Sequence, residues 1–184
     1  MVRTKIMHRD VFIFKKEHEE RGQVILDKFL DETVDSDYTG VIGICGISGS
    51  GKSEVAWWVA RKLYKLGISS HVINLDRYYK IPAKDRNAWR KENNYIGRKE
   101  MDWNRINDEV YKFGDNAIKV LIVEGLYAGY VNGITFFLDD TIEGTDHWRK
   151  LRGKEDEEDE FRKYIVGEEY ADILSGMRLY DYKI

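Results

Sequence analysis

The glycine-rich octapeptide GISGSGKS, residues 46–53, carries the clearest chemistry in this sequence. It matches the pattern G-x-x-x-x-G-K-S/T and stands between an apolar run and a segment of helical periodicity. The glycines let backbone N–H groups turn toward phosphate oxygens, and the following helix adds its positive N-terminal end. We therefore predict a phosphate loop, with Lys52 at the outer phosphates and Ser53 at Mg²⁺. The residues predicted to bind the nucleotide in this loop are Gly46, Ser48, Gly49, Ser50, Gly51, Lys52 and Ser53.

Two carboxylates stand at the ends of predicted strands. Asp76 ends the segment SSHVINLD, and Glu124 follows VLIV and precedes a glycine. Because the carboxyl ends of parallel strands meet at one edge of a sheet, we expect both residues near the phosphate loop. Phosphoryl transfer usually needs a carboxylate that accepts the proton of the attacking hydroxyl, and we predict this role for Asp76. An ordinary loop aspartate or a helix cap is the alternative interpretation of Asp76.

The phosphate loop indicates a nucleotide but does not by itself identify a reaction. The N-K-x-D segment with which GTPases read guanine is absent, and the segment LSGM at residue 174 matches only part of the L-S-G-G-Q signature of transporter ATPases. These absences favour a small-molecule kinase. ATP is the expected phosphate donor, and GTP remains open.

The elements that would position these groups alternate along the chain. We predict a short strand at 11–14 and sheet strands at 40–45, 69–76, 118–125, 134–140 and 177–184. Helices are predicted at 15–32, 53–66 and 102–113, and a last one runs from the acidic stretch at 155 past residue 173, whereas 77–101 receives no element. This order predicts a three-layer α/β fold with a mostly parallel five-stranded sheet and a small helical lid.

Length and composition are those of one globular domain, residues 1–184, with a strand–helix extension at 1–39. The net charge of −3 offers no general attraction to nucleic acid or to anionic membranes. Cys45 is the single cysteine, so no intrachain disulfide forms, and we expect a cytoplasmic protein. No apolar run is long enough to span a membrane. The oligomeric state stays open.

Four segments in a fixed order resemble the uridine kinase and phosphoribulokinase family: GICGISGSGKSEVA, LDRYYK, EMDWNRI and LIVEGLYA. The resemblance extends from about residue 40 to the end of the chain. It implies a P-loop kinase that uses ATP and Mg²⁺. It also implies that Asp76 is the catalytic aspartate and that Glu124 is a carboxylate on the magnesium side, acting through a bound water.

The same resemblance suggests residues for the acceptor and the lid. Tyr78 and Tyr79 match the aromatic positions of the acceptor pocket, and Asp102 matches an aspartate that grips sugar hydroxyls in nucleoside kinases. Asp102 is also a natural N-cap for the helix that follows it. The basic segment HWRKLRGK resembles the lid, expected at about 145–163, where Arg149 and Arg152 would cover the transferring phosphoryl group. Pairing of these arginines with the acidic run downstream is the alternative.

The sequence departs from the family where its members read D-S-F-Y and D-H-P-D, because those positions are DRYY and DWNR here. Recognition of a nucleobase is therefore not implied. The expected function is ATP-dependent transfer of the γ-phosphate to a hydroxyl of a small metabolite, with a nucleoside as the first guess. Alternatives are a kinase for a sugar phosphate, a vitamin precursor, adenylylsulfate, a polynucleotide or a protein, and a nucleotide-gated regulatory module without transfer.

Overall fold

A five-stranded sheet in which every strand pair is parallel forms the centre of the computed structural model, which describes residues 13–113, 118–151, 160–176 and 180–184. The strands are β1 (Gly40–Gly46), β2 (Ser70–Asn74), β3 (Val120–Glu124), β4 (Ile134–Leu138) and β5 (Tyr182–Lys183). Their order in the sheet is β2-β3-β1-β4-β5, so the strand that leads into the phosphate loop is central. The predicted α/β fold with a parallel five-stranded sheet is confirmed.

Helices cover both faces of this sheet and give the three predicted layers. Every residue of β3 is buried, and its side chains alternate between two apolar cores. The helices are α1 (Lys16–Thr33), α2 (Lys52–Lys65), α3 (Ala83–Asn93), α4 (Trp103–Phe113), α5 (Ile142–Leu151) and α6 (Glu160–Ser175). Leu121 and Val123 enter the core on the side of α4 and α6, while Val120 and Ile122 enter the core on the side of α1 and α2.

Two sequence-based predictions in the middle of the chain are wrong. Strand β2 ends at Asn74, and Asp76 lies beyond it in a 3₁₀ turn, Leu75–Tyr78. The stretch 77–101 contains helix α3, which the sequence analysis left without an element. The reason is visible in its composition, because the buried residue of α3 is Arg90 and the apolar periodicity that identifies most helices is missing.

The ends of the chain also differ from the predictions. Ile13 and Phe14 are not in a strand, and the first half of the predicted strand at 11–14 lies outside the described residues. Strand β5 is limited to Tyr182–Lys183 at the edge of the sheet, and residues 177–179 lie outside the described part. The predicted helical acidic run at 155–159 is likewise outside it. None of the helices in the described ranges is long and apolar enough to cross a membrane.

Helix α1, in the extension predicted at 1–39, is built into the domain. Its residues Ile25, Leu26 and Phe29 are buried in the same apolar core as β1 and α2. Its Arg21 donates two hydrogen bonds to the carboxylate of Asp140, at 2.7 and 3.1 Å, just after β4. The first turns of α1 therefore stand beside the edge of the sheet at which the strands end.

Replacement of Gly22 by alanine tests the close contact between α1 and α2. A β-carbon at Gly22 would lie 2.6 Å from Cε3 of Trp58, a distance that forces the two helices apart. We expect Gly22→Ala to lower the free energy of unfolding by about 1–3 kcal/mol in urea titrations. Gly167→Ala, also within a helix but with open space around the added carbon, is the matched control. The control should be neutral or stabilising by up to about 1 kcal/mol, and equal behaviour of the two variants would contradict the contact.

Candidate active site

The phosphate loop between β1 and α2 has the backbone geometry of an anion cradle. Gly49 and Gly51 have left-handed φ angles of 89° and 82°, which favour glycine. A β-carbon at Gly49 would lie 3.0 Å from Cγ of Arg149, and one at Gly51 would collide with the ring of His18. Both positions therefore require glycine for conformation and for space. The loop residues fit a bound polyphosphate, as the sequence predicts.

Lys52 and Ser53 are the first two residues of helix α2, and the side chain of each donates a hydrogen bond. The ammonium of Lys52 donates to the carbonyl oxygen of Ile47 at 2.7 Å, so it lies across the loop. The hydroxyl of Ser53 donates to Oε1 of Glu124 at 3.0 Å. The two residues predicted to serve Mg²⁺, Ser53 and Glu124, are thus in direct contact although they are far apart in sequence.

Glu124 is buried at the end of β3 and is held by two side chains. Besides Ser53, the amide of Asn74 donates to Oε1 of Glu124 at 2.6 Å. Burial raises the pKa of Glu124 to about 7, an effect that the positive charge of Lys52 opposes and the negative charge of Asp76 reinforces. The carboxylate is therefore poised to change its charge near neutral pH. A divalent cation beside it would favour the ionised form.

Asp76 is an exposed residue of the turn after β2, and Asn74 fixes the backbone of that turn. The Oδ1 atom of Asn74 accepts a hydrogen bond of 2.7 Å from the backbone N–H of Asp76. One amide side chain thus links the buried Glu124 to the turn that carries Asp76. Asn74 was not recognised from the sequence, although it stands two residues before the predicted base at the end of an apolar strand.

One cavity of about 470 Å³ brings these groups together. Lys52, Ser53, Asp76 and Glu124 all line it, and so do Ser48 and Gly49 of the loop. The predicted convergence of three separate chain segments at one edge of the sheet is therefore observed. Gly46, Ser50 and Gly51 support the loop without lining this cavity.

The residues predicted for the acceptor divide between the cavity and the core. Tyr79 lines the cavity, and its neighbour Tyr78 is buried in the apolar core beneath α4. Asp102 accepts a hydrogen bond of 3.2 Å from the backbone N–H of Arg105, which makes it the N-cap of α4, and it does not line the cavity. Its observed contact is that of the alternative interpretation, while its acceptor role stays a prediction.

Of the two arginines predicted for the lid, Arg149 lies in the described residues. It is a buried residue of α5, it lines the cavity, and its stem lies against Gly49 of the phosphate loop. Its guanidinium donates to the carbonyl oxygen of Ile142 at 3.2 Å and to the hydroxyl of Thr145, and it pairs with Asp146 at 3.2 Å. Arg149 therefore adds a positive charge next to the cradle. Arg152 and most of the second half of the predicted lid lie outside the described residues.

One wall of the cavity, formed by α3 and α6, was not identified from the sequence. A main residue of this wall is Arg90 of α3, which pairs with Glu100 and with Glu169 of α6, each at 2.9 Å, and all three are buried. This ion triad joins α3 to α6. The signal in the sequence was the helical spacing of four residues of which three are polar: Ala83, Arg86, Asn87 and Arg90.

The donor set fits magnesium better than a metal held by protein alone. In the described ranges, no three His, Cys, Asp or Glu side chains come together as a ligand cluster. Magnesium bound with nucleotides usually takes one or two protein ligands and completes its shell with phosphates and water. A serine hydroxyl in contact with a single carboxylate agrees with that pattern.

Comparison with known proteins identifies the fold. No family model and no curated protein sequence matches the chain. Among solved structures, a protein from Silicibacter sp. TM1040 described as a candidate fructose transport system kinase superposes with a TM-score of 0.52 and 13% identity, over 79% of this chain and 89% of that chain. A protein from Bacillus stearothermophilus described as a possible uridine kinase superposes with a TM-score of 0.46 and 15% identity, over 86% of this chain and 98% of that chain. The first superposition shows that the chain has the fold of P-loop kinases.

The raised pKa of Glu124 predicts a pH-dependent stability in the absence of ligands. Between about pH 4.5, the ordinary pKa of a glutamate, and about 7, the folded protein holds a proton that the unfolded chain has released. Stability should therefore fall as the pH rises through this window. Glu124→Gln removes the effect. The free energy of unfolding of the variant, measured by urea titration, should therefore rise relative to that of the wild type by roughly 2–3 kcal/mol as the pH is raised from 4.5 to 8. Glu92→Gln, at an exposed position, controls for the lost charge, and parallel profiles for E124Q and wild type would contradict the assignment.

The cap formed by Asp102 gives a second test. Asp102→Ala should lower the free energy of unfolding by about 1 kcal/mol, and Asp102→Asn should retain it because asparagine caps equally well. Equal losses in the two variants would show that the charge matters more than the cap.

Asp102→Asn also isolates the predicted contact with the acceptor, because it removes the charge without removing the cap. The signature of that contact is a raised KM for the acceptor at unchanged stability.

Proposed function

We propose that this protein is an ATP- and Mg²⁺-dependent phosphotransferase that moves the γ-phosphate to a hydroxyl of a small metabolite. The observation that carries the proposal is one cavity lined by the lysine of the phosphate loop, by the buried Glu124 and by the carboxylate of Asp76. A module that only binds a nucleotide needs the loop but has no need of a second, exposed carboxylate facing it. The P-loop kinase fold supports the same conclusion.

In the proposed transfer, Asp76 acts on the acceptor, and Lys52 and the phosphate loop act on the donor. Asp76 accepts the proton of the acceptor hydroxyl as its oxygen attacks the γ-phosphorus, and the bond from that phosphorus to ADP breaks. Lys52 and the backbone N–H groups of the loop stabilise the negative charge on the outer phosphates. The phosphoryl group passes to the acceptor, the proton passes to Asp76, and ADP leaves.

Two further residues support the charge of the transferring group. Ser53 and Glu124 would hold Mg²⁺, and the ion supplies positive charge to the donor phosphates when it is bound. Arg149 stands over Gly49 of the loop, and its fixed guanidinium is suited to phosphate oxygens. Arg152 keeps the lid role that the resemblance implies, as a prediction.

The acceptor is a small molecule in this proposal. A cavity of about 470 Å³ lies within the usual range for sites that bind metabolites. Tyr79 offers an aromatic surface, and its hydroxyl stays protonated because burial raises the pKa of Tyr79 well above its ordinary value. A nucleoside is the first acceptor to test, and sugars, sugar phosphates and vitamin precursors follow.

Asp76→Asn tests the base directly. We expect the variant to bind ATP with an affinity near that of the wild type and to lose about 10²- to 10⁴-fold in turnover, because the amide cannot accept the proton. ATP binding is followed by calorimetry, and transfer is followed by labelled γ-phosphate appearing on the acceptor. Asp108→Asn, at an exposed position of α4, is the matched control and should leave both quantities unchanged.

Lys52→Ala completes the experiment, because it should weaken both ATP binding and turnover. Near-normal turnover in Asp76→Asn would remove the proposed base. Tight ATP binding by the wild type without transfer to any acceptor of a broad panel would overturn the kinase proposal and favour a nucleotide-gated module.

A further inference from the structure

Helix α3 presents a polar, cationic face to the cavity. Ala83, Arg86, Asn87 and Arg90 all line it, at the spacing that places residues on one face of a helix. The face that a surface helix turns toward the protein is ordinarily apolar. On this face of α3 Arg90 is buried, Arg86 is half-buried and Asn87 is exposed. The polar side chains of Arg86 and Asn87 are therefore accessible to a charged molecule in the cavity.

The two arginines of this face differ in their partners. The charge of Arg90 is compensated, because its guanidinium lies between the carboxylates of Glu100 and Glu169. Breaking such a buried triad would leave uncompensated charges, so Arg90 holds α3 against its surroundings. A ligand is not needed to explain Arg90.

Arg86 has contacts that orient it without neutralising it. Its Nε and Nη2 atoms donate to the carbonyl oxygen of Ile81, each at 3.3 Å, and its guanidinium lies 3.6 Å from the centre of the Tyr79 ring. No carboxylate of the described residues lies within ion-pair distance of it. Arg86 is therefore a half-buried, oriented cation at the edge of the cavity with its charge available.

We propose that Arg86 binds an anionic group of the phosphate acceptor, a phosphate or a carboxylate carried by the molecule whose hydroxyl is phosphorylated. This inference rests on the proposed kinase function and narrows its substrate class. A guanidinium recognises both groups through paired N–H donors, and its fixed orientation lowers the entropy cost of binding. Neutral nucleosides and sugars would then be poorer acceptors than their anionic derivatives.

The contacts of Arg86 associate it with the acceptor rather than with the nucleotide. Two cations that stand next to the phosphate loop are Lys52, which lies across the loop, and Arg149, which lies against Gly49. The contacts of Arg86 are with Tyr79 and Ile81, in the segment that follows Asp76. An anion held by Arg86 would therefore stand on the side of the proposed base.

The experiment compares neutral acceptors with anionic derivatives that carry a phosphate or a carboxylate. The pairs are ribose with ribose 5-phosphate, uridine with uridine 5′-monophosphate, and glycerol with glycerate. Binding of each compound is measured by thermal shift with the nucleotide site saturated by a non-hydrolysable ATP analogue, and transfer is measured by ADP release. At least one anionic member should bind and accept phosphate about tenfold better than its neutral partner. The phosphate and carboxylate pairs show which anion is preferred.

Variants of Arg86 then assign the effect to this residue. Arg86→Gln should weaken binding of the anionic member about tenfold or more and change the KM for ATP less than twofold. Arg86→Lys keeps the charge but loses the planar pair of donors, and it should recover part of the affinity. Arg105→Gln is the matched control, because Arg105 also lies over a tyrosine ring, at 4.7 Å from that of Tyr78, but does not line the cavity. Arg105→Gln should leave the affinity for the anion unchanged.

The outcomes separate this inference from the kinase proposal. The inference is overturned if no anionic compound stabilises the ATP-analogue complex, or if neutral compounds bind equally well. It is also overturned if Arg86→Gln weakens ATP and the anion alike. Transfer to neutral acceptors in any of those cases leaves the kinase proposal standing. Anion binding that depends on Arg86 but without transfer to any acceptor would support the anion site and count against the kinase.

Discussion

The buried carboxylate of Glu124 is the group on which the arrangement of the cavity depends. It stands at the end of a strand whose residues are all buried, where an ionised carboxylate is costly unless it is hydrogen-bonded or paired. Ser53 and Asn74 supply those hydrogen bonds, one from the start of α2 and the other from the end of β2. Satisfying one carboxylate thus fixes the phosphate loop and the turn of Asp76 relative to each other. Glu124 is thus costly to bury, and it is also the carboxylate proposed to serve Mg²⁺.

The cavity wall formed by α3 and α6 is held by ion pairs. Arg90, Glu100 and Glu169 form a buried triad that joins α3 to α6 in place of apolar packing. A buried triad adds little net stability compared with apolar residues, but removing one member is expensive. It therefore specifies where α3 lies, and the position of α3 decides that Arg86 and Asn87 face the cavity. The polarity of this wall is a consequence of how the helix is held.

Helix α1 supports the phosphate loop from behind. The ring of His18 lies against Gly51, and the ammonium of Lys15 stands 3.2 Å from the centre of the Trp148 ring of α5. With the ion pair between Arg21 and Asp140, these contacts join α1 to the loop, to the end of β4 and to helix α5. Burial lowers the pKa of His18, so its ring favours the neutral form beside the loop. The N-terminal extension is thus part of the frame that holds the cradle in shape.

The features that could be predicted from the amino-acid sequence are local in the chain. The phosphate loop could be recognised because its glycines and lysine lie close together in the sequence. Strands β1, β3 and β4 could be recognised because parallel central strands are continuous apolar runs. The convergence of Lys52, Asp76 and Glu124 followed from the general topology of parallel sheets. Only the tertiary structure shows which of the two tyrosines after Asp76 faces the cavity, since Tyr79 lines it and Tyr78 does not. It alone revealed the roles of Asn74 and Arg90, because Glu124 and Glu169, with which they pair, are far away in the sequence. A polar side chain carries no sequence signal of a distant partner.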